Sequence, residues 1–155
     1  MARVLVLTDR TPHDPAWKGA QIWQIILGLA ESQHEVLVVT TEPIHEISIT
    51  HPRLNVTQPF DSWSVLNAGK VLQTVIQFKP QVIHTFALKP NAVWPLRTLW
   101  PLLHSTTQVL RGVQRVYSLL DSSDWSPREA HFQWLAHSQK LTVFHEPGRR
   151  DLQSH

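Results

Sequence analysis

Apolar positions along this chain fall either into short continuous runs or into longer stretches with helical spacing. "RVLVLT" at 3–8 and "EVLVVT" at 35–40 are rich in β-branched residues and almost wholly apolar, the pattern of strands buried on both faces. Between them Ile22, Ile25, Ile26 and Leu29 recur at i, i+3, i+4 and i+7, which predicts a helix with one apolar stripe. The connection is long enough for a crossover helix, so the two strands are expected to be parallel and the unit right-handed.

The pattern then repeats with less contrast. "ISIT" and "LNVTQ" alternate apolar and polar residues and include a third strand, with "HPR" turning between them. Asp61 or Ser62 can cap a helix that carries Val65, Ala68, Leu72 and Ile76 on one face and stops before Pro80. "QVIHTFA" predicts a fourth strand, and a helix from about Asn91 would bury Val93, Leu96, Trp100 and Leu103. Pro95 is tolerable in that helix's first turn, whereas Pro101 should kink or shorten it. "TQVLRGV" at 107–113 reads as the fifth strand, followed by an irregular stretch to Trp125. "SPRE" at 126–129 is a helix start, with Ser as cap, Pro at the first position and Glu closing the capping box. "LTVFH" predicts the sixth strand and "EPGRRDLQSH" a short last helix. Six strands alternating with helices predict an α/β fold, a Rossmann-like doubly wound parallel sheet in three layers, as a single domain over residues 1–155.

Composition narrows the function classes. Apolar residues are 42% and charged residues 17%, as in an ordinary water-soluble globule, and no apolar run approaches the roughly 20 residues of a membrane span. The N-terminus lacks a signal-peptide pattern, so a cytoplasmic location is expected. Cysteine is absent, which excludes disulfides and thiolate metal sites. The ten histidines offer no metal spacing, since His131 and His137 are six apart and do not share a helix face. Net charge is +2 with Lys and Arg scattered, unlike the basic stripe of a nucleic-acid binder, so no nucleic-acid partner is expected. Seven tryptophans are spread along the chain.

In doubly wound sheets, ligands bind where strands end at their carboxyl edge. Those ends are expected at Thr8-Asp9, Thr40-Thr41, Phe86-Ala87, Arg111-Gly112 and His145-Glu146. The first loop, "TDRTPHDPAWKGAQ", leads to Lys18 and Gly19 at a helix N-terminus, where free amides favour an anion. Gly19 would admit backbone close to a phosphate or sugar, or would permit tight helix–sheet packing. The loop has neither the G-x-G-x-x-G spacing of a dinucleotide site nor the G-K-[ST] of a P-loop, so neither cofactor class is expected. Asp9 could cap the loop or touch a ligand. Arg111 could pair with a phosphate or with a surface carboxylate. His84 could be a satisfied core group or part of a site. Asp121 and Asp124 read as turn residues.

Three segments resemble the N-terminal domain of GT-B glycosyltransferases of the family 4-like type. "RVLVLTDRTPHDPAWKGAQIWQIILGLAESQHEVLVVTTEP" is similar to that family's first strand–helix–strand unit, whose second strand follows "GHEV". "FKPQVIHTFA" is similar to its "KPDVIHxH" strand, and "WLAHSQKLTVFHEPGRRDL" to its late helix–strand–helix. Several positions depart from the pattern. Lys18 and Ala20 flank a single glycine, Gln33 replaces the turn glycine, and Gln81 and Phe86 replace Asp and the second His. "LRGVQR" lacks the histidine that many members carry after the fifth strand, and His145 stands where the late strand ends in serine.

The resemblance implies the acceptor-side half of a sugar transferase that uses a nucleotide sugar without an obligatory metal or other cofactor. Asp9, Lys18, Gly19, His84 and Arg111 are the candidate ligand-binding residues, and no catalytic residue is assigned. The donor-gripping domain of such enzymes would need roughly 150 further residues, so the 155-residue chain is expected to be inactive alone. A separate donor-domain chain would complete it; that chain or a second copy in a homodimer is the expected protein partner, with a sugar or lipid-linked acceptor and at most peripheral membrane contact. The alternative is a non-catalytic binding or assembly module that keeps the fold.

Overall fold

A computed structural model describes residues 1–13, 18–61, 65–86, 113–119 and 140–143. Six strands form one sheet: β1 (Arg3–Thr8), β2 (Glu35–Thr40), β3 (Leu54–Thr57), β4 (Val82–Phe86), β5 (Gln114–Leu119) and β6 (Lys140–Val143). Their order is β3-β2-β1-β4-β5-β6, and every neighbouring pair is parallel. The expected α/β class and doubly wound Rossmann-like sheet are therefore present. Order runs outward from β1 in one direction through β3, then reverses at β4.

The continuous apolar runs explain which strands are central. β1 is buried from Val4 to Thr8, with β2 on one side and β4 on the other. Helix α1 (Lys18–Glu31) places Ile22, Trp23, Ile26 and Ala30 on Val4, Val6, Val36, Val38 and Phe86, with Ile25 and Leu29 packed around them. The predicted stripe is thus the buried one, widened by Trp23, which has no exposed surface. The next crossover, from β3 back to β4, runs in the opposite direction. Right-handedness therefore puts helix α2 (Val65–Phe78) on the other face.

Several predicted elements shift. Within the "ISIT…LNVTQ" region only Leu54–Thr57 pairs, against β2. The buried stripe of α2 is Val71 and Val75, both 1% exposed, while Ile76 is 42% exposed. Of the expected stripe, Leu72 is half-buried, and the side chains of Val65 and Ala68 lie outside what is described. Asp61 engages the side chain of Gln58, its Oδ1 accepting from Nε2 at 3.1 Å; Ser62 lies outside the described residues. The fifth strand is Gln114–Leu119, in what was expected to be an irregular stretch, and "TQVLRGV" reaches the described residues only at Val113. Gln114 N–H donates to Gln81 O at 2.9 Å, setting this strand's start beside β4. The sixth strand begins one residue early, at Lys140. The helices expected from Asn91, at "SPRE" and at "EPGRRDLQSH" lie outside the described residues.

Candidate functional site

A sheet ordered 3-2-1-4-5-6 has its crevice between β1 and β4, where successive crossovers leave to opposite faces and the loops diverge. Residues at the carboxyl ends of these two strands are the site candidates. Val6 pairs with His84 and Leu7 with Thr85, so Thr8 and Phe86 end their strands side by side.

The loop after β1 is anchored by two hydrogen bonds. Thr8 Oγ1 accepts the N–H of Arg10 at 3.2 Å, and Asp9 between them is 3% exposed. Trp23 Nε1 donates to the Arg10 carbonyl at 2.7 Å, tying the loop to α1. Thr40, the register partner of Thr8 at the end of β2, accepts the N–H of Glu42 at 3.1 Å in the same way. Threonine at a strand end thus turns the chain while consuming an amide that the sheet no longer pairs.

Gly19 is buried in the first turn of α1. Lys18 opens that helix, and its side chain lies outside what is described. Gln21, in the same turn, has an Oε1 sealed from solvent with no hydrogen-bond partner among the described residues.

His84 lies on the α1 face of β4, flanked in register by Val6 and Val116. Its Nε2 is 2.7 Å from the Oγ of Ser118, which has no exposed surface. Its ring stacks on Phe86 with centroids 4.2 Å apart and an interplanar angle of 19°. Burial among these groups pushes the imidazole from its usual 6.5 down to about 4, so it is neutral at physiological pH. Sequence reasoning found His84 but not Ser118. Its signal is a polar residue on the matching face of the next strand, and it is hidden because the more apolar run "TQVLRGV" precedes the observed β5.

Arg111 lies outside the described residues, and the observed β5 ends at Leu119 rather than at Arg111. The residues that follow this strand are "LDSSDW", again without histidine. Among the described residues there is no group of metal-ligating side chains and no helix long and apolar enough to cross a membrane.

No protein-family model matches the chain, and no curated protein matches it. Among solved structures it is similar to an α-glucosyltransferase in complex with UDP and a 13-mer DNA containing a central A:G mismatch. That likeness has a TM-score of 0.59 at 10% identity, over 92% of this chain and 37% of the other. The chain has a glycosyltransferase-like, Rossmann-like fold. It spans little more than a third of that enzyme's length. A short-chain dehydrogenase/reductase from Burkholderia vietnamiensis superposes more loosely, with a TM-score of 0.41 at 11% identity over 99% of this chain and 89% of that one.

Proposed function

We propose that this domain is the acceptor-side half of a sugar transferase that draws on a nucleotide sugar. The observation that supports this reading most is the crevice between β1 and β4, built on a fold shared with an α-glucosyltransferase over 92% of the chain. Asp9, Gly19 and His84 are carried by elements that border it. The family 4-like GT-B resemblance of the sequence points the same way.

Transfer of a glycosyl group requires stabilising groups on both sides of the migrating sugar and exclusion of water. The loop after β1 holds no run of glycines for a diphosphate. The donor is therefore gripped by a second domain, in the same polypeptide or in a partner chain, and this domain alone does not turn over. Arg111 and Lys18 remain candidates for the phosphate side, Asp9 and Gly19 for the acceptor side. The protein works in the cytoplasm, without nucleic acid.

Affinity purification of the tagged protein from its own cells, with mass spectrometry of what co-elutes, tests the reading. A stoichiometric α/β partner that binds nucleotide sugars, or such a domain in the same polypeptide, is expected. A monomer or homodimer with neither is a binding module and overturns it.

A further inference from the structure

His84 and Ser118 form a pair whose hydrogen positions follow from burial. Ser118 has no exposed surface, and its Oγ has one hydrogen-bond partner among the described residues, Nε2 of His84 at 2.7 Å. A buried hydroxyl proton with no acceptor costs the full desolvation of that donor, whereas a hydroxyl oxygen with spare lone pairs costs less. Ser118 O–H therefore donates to Nε2. A neutral imidazole has a single N–H, which then sits on Nδ1. That nitrogen has no hydrogen-bond partner among the described residues, and His84 is not fully buried.

The surroundings select what Nδ1–H can meet. In register the ring lies between Val6 and Val116, and it stacks on Phe86. The α1 residues packed against this face include Ile22, Trp23, Ile26 and Ala30, none of them charged. No described cation faces the ring, and the acidic residue Asp9 leaves the adjacent strand just beyond it. An anion here would lose its hydration without gaining a counter-charge from any described side chain, while an uncharged oxygen loses far less.

We infer that the His84–Ser118 pair is a subsite for a hydroxyl oxygen of an uncharged sugar-type ligand, in which the partly exposed His84 donates through Nδ1–H and the sealed Ser118 is a positioning residue that fixes its tautomer. The inference rests on the transferase reading for its place in the reaction and names the acceptor class as neutral and hydroxyl-rich rather than phosphorylated at this point.

The test is nitrogen-detected NMR of the full chain labelled with ¹⁵N-histidine, with methyl glucoside and inorganic phosphate as separate probes. The wild type is expected to show His84 as the Nδ1–H tautomer at neutral pH. Methyl glucoside should shift Nδ1, and phosphate should not. Ser118→Thr should keep the tautomer and the response, while Ser118→Ala should move the ring toward Nε2–H and weaken the glucoside response by about threefold to tenfold, the loss of one oriented hydrogen bond. An Nε2–H tautomer in the wild type overturns the inference, as does an unchanged tautomer in folded Ser118→Ala or a response to phosphate alone. If Ser118→Ala does not fold, the wild-type tautomer and Ser118→Thr still decide. A glucoside response in a protein without any nucleotide-sugar partner removes the transferase reading and leaves the subsite. Sugar transfer by a complex in which His84 ignores glycosides does the reverse.

Discussion

Trp23 Nε1 donates to the carbonyl of Arg10 at 2.7 Å, so a fully buried indole on α1 fixes the loop that leaves β1. The bond reaches across thirteen positions of chain and sets where the loop turns above the crevice. Trp23→Phe keeps an aromatic ring in the core but removes this bond, and should cost about 1 kcal/mol for the bond plus about 1 kcal/mol for lost volume. Trp23→Ala should cost about 3–5 kcal/mol. Urea unfolding, compared through midpoints at constant slope, measures both.

Gln33 and Lys79 both lie in the short turn between a helix and the next strand, and both have positive φ, 71° and 51°. At Gln33 the end of α1 is closed by Ser32 N–H to Gly28 O, Gln33 N–H to Ala30 O and His34 N–H to Leu29 O. A glycine there escapes the steric cost of the left-handed region and gives back part of it as unfolded-state entropy. Gln33→Gly should therefore stabilise the domain by roughly 0.5–1 kcal/mol in a thermal or urea melt. Equal or lower stability would mean that the Gln33 side chain contributes more than its backbone costs.

The buried imidazole of His84 makes stability depend on pH. Its pKa is lowered from 6.5 to about 4 by burial, so between these values the unfolded chain binds the proton and the folded chain does not. Stability from this group is present above 6.5 and is lost progressively as pH falls from 6.5 through about 4. The loss is on the order of 3 kcal/mol. Comparing wild type with His84→Gln isolates it from the other histidines. The wild type should weaken more steeply over that interval, and parallel pH profiles would contradict a buried neutral ring.

Gly19 is buried at the start of α1, beside the amides that a ligand at the helix N-terminus would use. Gly19→Val should abolish ligand binding while the domain keeps a cooperative unfolding transition. Loss of the fold in that variant would assign Gly19 to helix–sheet packing instead.

Much of the fold was legible because β1, β2 and β4 are buried on both faces, which forces near-continuous Val, Ile and Leu. β5 was less legible. "QRVYSL" mixes Gln114, Arg115 and Ser118 with apolar residues, and the preceding "TQVLRGV" is the more apolar run; pairing with β4 decides between them. Ser118 could not be found from the chain alone, since its meaning comes from lying one step diagonally from His84 across two strands. Ile76 departs from the expected α2 stripe for a related reason: Val75 and Ile76 are equally apolar, and only the sheet beneath says which one is covered. Gln33 was legible as a missing glycine, and its positive φ gives that departure a conformational cost.

The acceptor-side reading is tested most directly by sugar transfer in a reconstituted system. The purified domain, its donor-binding complement and a radiolabelled nucleotide sugar are combined with a panel of uncharged glycoside acceptors, and labelled product is counted. The account predicts product only when both halves are present, with His84→Gln strongly reduced. Transfer by the complement alone at the same rate, or none by the assembled pair with any acceptor, would contradict it.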